Sequence, residues 1–171
     1  MELNNLRDLY VHELQDLYSA ENQILEALPQ MEEATNDTRL KRAFSEHRQM
    51  TEHQKSRLER IFSMLKVEPD GVSCEGIEGI IEEGQSLIKK ESKLFGGSDI
   101  DEDVLNAGLI ASAQKVEHYE IAGYGTVAAY AKRLGFSDQA SLLHQTLEEE
   151  VETDRKLTQL AESSINLEAQ K

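Results

Sequence analysis

Apolar residues recur along this chain with a period near 3.6, in stretches separated by short polar or glycine-bearing breaks. Leu6, Tyr10, Leu14, Leu17, Leu25 and Leu28 line one face of a first helix expected over 5–34. Pro29 lies inside that stretch; lacking an N–H and crowding the preceding turn, it is expected to kink the last turns or end the helix early. Asn36 and Asp37 supply a turn and an N-cap for a second helix over 37–66, striped by Leu40, Phe44, Leu58, Ile61, Phe62 and Leu65. Beyond Pro69, Asp70 and Gly71, Ser73 can cap a shorter helix over 73–93 that carries Ile77, Ile80, Ile81, Leu87 and Ile88. Gly96 and Gly97 break the pattern, and Asp99 with Glu102 forms a capping box for a helix over 99–134 that Gly135 stops. Ser137 can cap the last helix, over 137–163, with Leu143, Leu147, Leu157 and Ala161 as its stripe.

Short turns inside each pair of long helices make two antiparallel hairpins, and the segment joining the hairpins is long enough to run the length of a bundle. The expected fold is therefore all-α: a single ferritin-like four-helix bundle over 1–171 with an additional short helix in the crossover. Composition agrees, since two prolines, no Trp and 39% hydrophobic content suit one elongated core packed by aliphatic side chains. The helix over 99–134 has a second low-polarity face, made of Ala107, Ala111, Ala122, Gly125 and Ala129. It is expected to meet the crossover helix or a second subunit.

Several stripe positions that should be apolar are acidic. Glu21 stands among Leu14, Leu17, Leu25 and Leu28, while Glu150 and Asp154 lie within about 20° of the centre of the last stripe at 100° per residue. Glu120 is near the core line of its helix; Glu117 and Tyr124 share the adjacent edge, where the hydroxyl can reach that carboxylate or a metal it holds. His47, Thr51 and Gln54 follow the line from Phe44 to Leu58, which makes His47 the best nitrogen ligand, whereas His53 points to the surface and His118 to the small-residue face. Removing a carboxylate from water costs several kcal/mol unless something compensates it. A lone Glu21 could be satisfied by Tyr10 or Tyr18, and the acids of the last helix by a neighbouring Lys or Arg, but none of these basic residues occupies a stripe.

Position along the bundle decides between these readings. Glu21 precedes the first hairpin turn by about as many residues as Thr51 and Gln54 follow it, and Glu120 and Glu150 bracket the second turn in the same way. Carboxylates from three helices and polar residues from the fourth thus meet at one level, the arrangement that gathers ligands around up to two metal ions. Oxygen donors with one imidazole suit iron or manganese, with zinc also accommodated, and no Cys lies on the core line. The expected ligands are Glu21, His47, Glu117, Glu120, Glu150 and Asp154, supported by Gln54 and Tyr124. With iron, oxygen or peroxide would be the co-reactant.

Thirty-three acidic against 18 basic residues give a net charge of −15, which excludes nucleic acid and anionic lipid as partners. The lone Cys74 excludes an internal disulfide, and with neither a signal-like start nor a membrane-length apolar run the chain is expected to be cytoplasmic.

The phrases DLYSAENQILEALPQM, LIASAQKVEHYEIAGYGT and LHQTLEEEVETDRKLTQLA closely resemble the YciE/YciF family of bacterial ferritin-like, stress-associated proteins, and the resemblance extends over nearly the whole chain. It implies a ferritin-like bundle, usually dimeric, with a di-iron or related two-metal centre. The chain departs from the usual di-iron pattern of a Glu plus Glu-x-x-His motifs: Thr153 follows Glu150 at the third position, and Met50 stands three residues before His53. Two functions are therefore carried forward. One is a metal-binding protein of the stress response that sequesters iron or reacts it with oxygen or peroxide; the other is a homodimeric structural or interaction protein with a degenerate, redox-inactive site.

Overall fold

The computed structural model describes residues 2–91 and 100–171. Their order is α1 (Leu6–Ala34), α2 (Thr38–Leu65), α3 (Glu75–Glu91), α4 (Glu102–Arg133) and α5 (Ser137–Leu160), continued by a π-helical turn (Ala161–Ile165) and α6 (Asn166–Glu168). α1 packs on α2 and α4 on α5, while the crossover helix α3 lies against α4 and α1. The all-α bundle with its extra helix is thus present. Among the described residues no helix is long and apolar enough to cross a membrane.

Local chemistry accounts for most helix ends. The Asn5 side chain accepts from the Asp8 N–H, and that of Asp37 accepts from the N–H groups of Arg39 and Leu40. Asp101 caps α4 through the N–H groups of Asp103 and Val104. The expected cap Asp99, the break at Gly96 and Gly97, and the last residues of the 73–93 helix lie outside the described residues. Ser137 does not cap α5 but is its first helical residue; Gly135, at φ +79°, makes the turn, with Phe136 N–H donating to Ala131 O. Pro29 does not end α1, which continues to Ala34. The last helix also runs further than expected, through the π turn to Glu168.

The core has two parts. One apolar cluster contains Ala20, Ile24 and Leu28 of α1, Leu40 and Phe44 of α2, Leu105 to Val116 of α4, and Leu157 of α5. The other contains Tyr10, Leu14 and Leu17, then Leu58, Ile61 and Phe62, then Tyr124 and Val127, and Leu143. Followed along the chain, α1 and α5 pass from the second cluster to the first, and α2 and α4 from the first to the second. Each hairpin is therefore antiparallel, and the chain after α2 must travel back along the bundle before α4 can begin. All four long helices change cluster at one level, which is where the buried polar residues stand.

α3 does not cover the small-residue face of α4. A side chain added at Gly84 would meet Ser112, one at Gly108 would meet Leu87, and one at Gly76 would meet the Tyr119 ring, so the contact strip runs along Gly108, Ser112 and Tyr119. Ala111, Ala122 and Ala129 remain exposed.

Candidate metal centre

Between the two clusters lie Glu21, His47, Thr51, Gln54, Glu117, Glu120, Thr146 and Glu150, all buried. Each reaches this layer because it replaces an apolar residue on the inner stripe of its own helix. His47, Glu117, Glu120 and Glu150 each offer one donor atom within 4.8 Å of all the others. Glu21 joins them from α1: the Tyr124 hydroxyl donates to its Oε1, and its carboxyl lies within electrostatic reach of Glu150. Neither Tyr10 nor Tyr18 satisfies Glu21, since they donate instead to Gln139 (2.9 Å) and Glu59 (3.2 Å).

The donor atoms are short of partners. Glu21 Oε2, His47 Nε2, Gln54 Oε1, Glu120 Oε1 and both carboxyl oxygens of Glu117 and Glu150 are buried without a hydrogen-bond donor or acceptor of the kind they need. Such atoms are rare in folded proteins, and here they are concentrated at one level. Burial pushes Glu21, Glu117 and Glu120 well above the usual carboxylate range, and mutual repulsion, in which Glu150 takes part each time, adds to it. Glu150 rises through burial only to about 7, because the neighbouring Glu117 and Gln54 side chains and the Arg57 charge favour its ionised form. Without a cation, protons fill this layer, and Glu117 can share one with Glu150. His47 is lowered by burial to about 4 and is therefore neutral, the form that ligates metals; its Nδ1 is 3.4 Å from Glu117 Oε1. Four carboxyls and one imidazole fit a divalent cation accepting oxygen and nitrogen donors.

Asp154 is not part of this group. It is only half-buried, and its Oδ1 accepts from Gln114 Nε2 at 2.9 Å and lies 3.5 Å from exposed His118. Four residues advance a helix by about 40° beyond a full turn, which carries Asp154 from the centre of the bundle to the outer α4–α5 seam. Tyr124 serves Glu21 rather than Glu117. Gln54 is buried beside Glu150, with its Nε2 3.4 Å from Glu149 Oε2. The sequence gives no warning of Arg57, which forms a two-pronged pair with Glu149 at 2.6 and 2.7 Å and donates to Thr146 at 3.0 Å. Arg57 precedes the stripe residue Leu58 by one position, so its apolar stem borders the core while its head closes the side of the layer. His53 is exposed.

A second polar cluster lies just before the start of α3, where Cys74 and Tyr119 share Asp16. Tyr119 Oη donates to Asp16 Oδ2 at 2.8 Å, and Cys74 Sγ lies 3.1 Å from both groups. Burial raises the Cys74 thiol to about 11, so it is protonated at neutral pH.

Residues 5–170 match the family described as Domain of unknown function (DUF892). Protein YciF of Escherichia coli K12 is 41% identical over 173 residues, covering 99% of this chain and 98% of its own. The crystal structure of the E. coli stress protein YciF matches with a TM-score of 0.87 at 40% identity, covering 96% of this chain and 99% of that one. YcfI from Rhodopseudomonas palustris matches at 0.82 and 38%, covering 92% and 95% of the respective chains.

Proposed function

The chain belongs to the DUF892 family, and from that premise we propose that it is a ferritin-like metal-binding protein of the stress response, taking up to two ions of iron and reacting them with oxygen or peroxide. The observation that carries this reading is the layer of buried, unpartnered carboxyl oxygens shared by α1, α4 and α5, with His47 from α2 beside them. Such a layer costs stability in a protein that has no use for it. Iron held there would supply one-electron chemistry. Glu21, Glu117, Glu120 and Glu150 would hold it through oxygen and His47 through nitrogen, while Tyr124 fixes the orientation of Glu21 and the Arg57–Glu149 pair with Gln54 closes the side of the layer. The apolar clusters above and below keep bulk water out. The stress association comes from the likeness to E. coli YciF, described as a stress protein.

The test is metal analysis of protein purified without chelator, followed by Fe(II) addition with absorbance followed under oxygen or peroxide. Stoichiometric metal and oxidation above the buffer rate are expected, and Glu150→Ala should lose the metal. A Glu150→Ala protein with full metal content would overturn the assignment of the site.

One observation favours a second reading, in which the protein is a homodimeric structural or interaction protein with a degenerate site. Met50, three residues before His53, lines a cavity beside His47 where the di-iron pattern has an acid. YcfI has been put forward as a structural protein. In that case the purified chain would be dimeric by sedimentation, with substoichiometric metal and no oxidation, and the exposed face of Ala111, Ala122 and Ala129 would be its contact.

A further inference from the structure

His47 stands between two cavities. The one between α2 and α5, about 80 Å³, has Glu46, Thr153 and Lys156 in a wall otherwise made of apolar residues such as Phe44, Met50 and Leu157. The other, about 30 Å³, lies beneath the crossover helix and is walled by Ile24 and Leu28 of α1, Ile80 and Ile81 of α3, and Ala113 and Val116 of α4.

The few polar groups of the smaller cavity are already engaged. Gln85 Nε2 donates to Gln30 Oε1 at 3.2 Å, a bond between exposed side chains that closes the rim between α3 and α1. Ser112 Oγ donates to Gly108 O at 3.0 Å. The remaining polar group is His47, whose Nε2 is buried and has no partner. A water in such a space needs two to four polar partners, and one unpartnered nitrogen does not supply them. Hydrogen peroxide, with two O–H donors, would forfeit still more hydrogen bonding on entry. A diatomic apolar gas loses nothing and fits the volume, whereas an acyl chain does not.

We infer that the cavity under α3 is a dioxygen pocket that delivers the gas to the His47 side of the metal centre, so that the oxidant is dioxygen and not peroxide. This rests on the metal-binding reading for its chemistry, but the pocket is a property of the polypeptide. Its walls come from α1, α3 and α4 with His47 of α2 at one side, and α3 is the one outside the four-helix core, which gives the crossover helix a role beyond connecting the hairpins.

The experiment uses methyl-labelled, metal-free protein under dioxygen pressure, because the paramagnetic gas speeds relaxation of the protons beside it. The methyl groups of Ile24, Leu28 and Ala113, which line the cavity and are buried, should relax several-fold faster than the comparably buried methyls of Leu14, Leu58 and Leu143 in the other cluster. Equal enhancement in both sets would overturn the pocket. Ala113→Val, which fills the space, should abolish the difference; Ile81→Phe closes it from α3 should the first variant fold poorly. In the iron-loaded protein either variant should slow Fe(II) oxidation by dioxygen several-fold while leaving oxidation by peroxide unchanged, and equal slowing of both would overturn the choice of oxidant. A chain that takes up no iron would defeat the metal reading alone, since the relaxation measurement needs no metal.

Discussion

Tyr124 illustrates how much one hydroxyl does in a layer with few donors. It is fully buried, its O–H is the donor that serves Glu21, and the remaining Glu21 oxygen has no partner. Tyr124→Phe keeps the ring in place among Leu17 and Val127 but strands both oxygens. The metal-free variant should lose about 1–3 kcal/mol by urea unfolding, more at pH 8 than at pH 5, because a protonated carboxyl needs the donor less. The residue also marks the reach of sequence reasoning. Glu21, Glu120, Glu150 and His47 were legible because each interrupts an apolar stripe, which a helical wheel detects. The destination of an edge residue was not: Tyr124 was expected beside Glu117 and meets Glu21 across the α1–α4 contact, and Asp154 was expected inside and lies in the α4–α5 seam. A wheel gives the direction of a side chain about its own axis, but an edge belongs to whichever neighbour happens to face it.

At the level of elements, strong amphipathic periodicity made the four long helices readable, and their ends followed local caps where a side chain supplied one, as Asp37 does for α2. Pro29 does not end α1, because a proline deep in a well-packed helix can be carried by tertiary contacts on both sides: Ala27 and Leu28 are buried just before it, and Met31 packs on the same cluster just after it. The docking of α3 was not legible, since it depends on which small residues permit close approach. Gly76 is such a residue: an added Cβ would come within 2.5 Å of the Tyr119 ring, which is held by its bond to Asp16. Gly76→Ala should therefore displace the start of α3 and cost about 1–3 kcal/mol. Cys74, two residues earlier, reports on it. Buried and raised to about 11, its thiol should react slowly with a disulfide reagent at pH 7.5 in the parent protein and several-fold faster in Gly76→Ala. Unchanged labelling would mean that the ring moves and α3 stays.

Across the whole molecule the polar layer links stability to pH and to metal. Burial raises the pKa of Glu21, Glu117, Glu120 and Glu150, so the folded chain holds protons that the unfolded chain gives up. Their contribution is complete below the ordinary value of 4.5 and drains away as pH rises through the folded values; for Glu150, at about 7, this happens between pH 4.5 and 7, and for the other three it continues above that. His47 works in the opposite sense. Lowered to about 4, it favours the fold above its ordinary value of 6.5 and withdraws that support as pH falls toward 4. Between pH 6.5 and 8.5 the imidazole is neutral in the fold and at most half protonated in the unfolded chain, so its opposing contribution is small and the carboxyls decide the sign. The metal-free protein should lose stability there, with a slope approaching about 1.4 kcal/mol per pH unit for each carboxyl still protonated in the fold. A bound divalent cation takes the place of those protons and is held more firmly as they leave, so Mn(II), which does not react with oxygen under these conditions, should flatten or reverse the trend. Urea midpoints at pH 6.5 and 8.5, with and without Mn(II), measure both slopes. A metal-free midpoint that climbs with pH would mean that these carboxyls are ionised inside the fold, and that something other than protons balances them when no cation is bound.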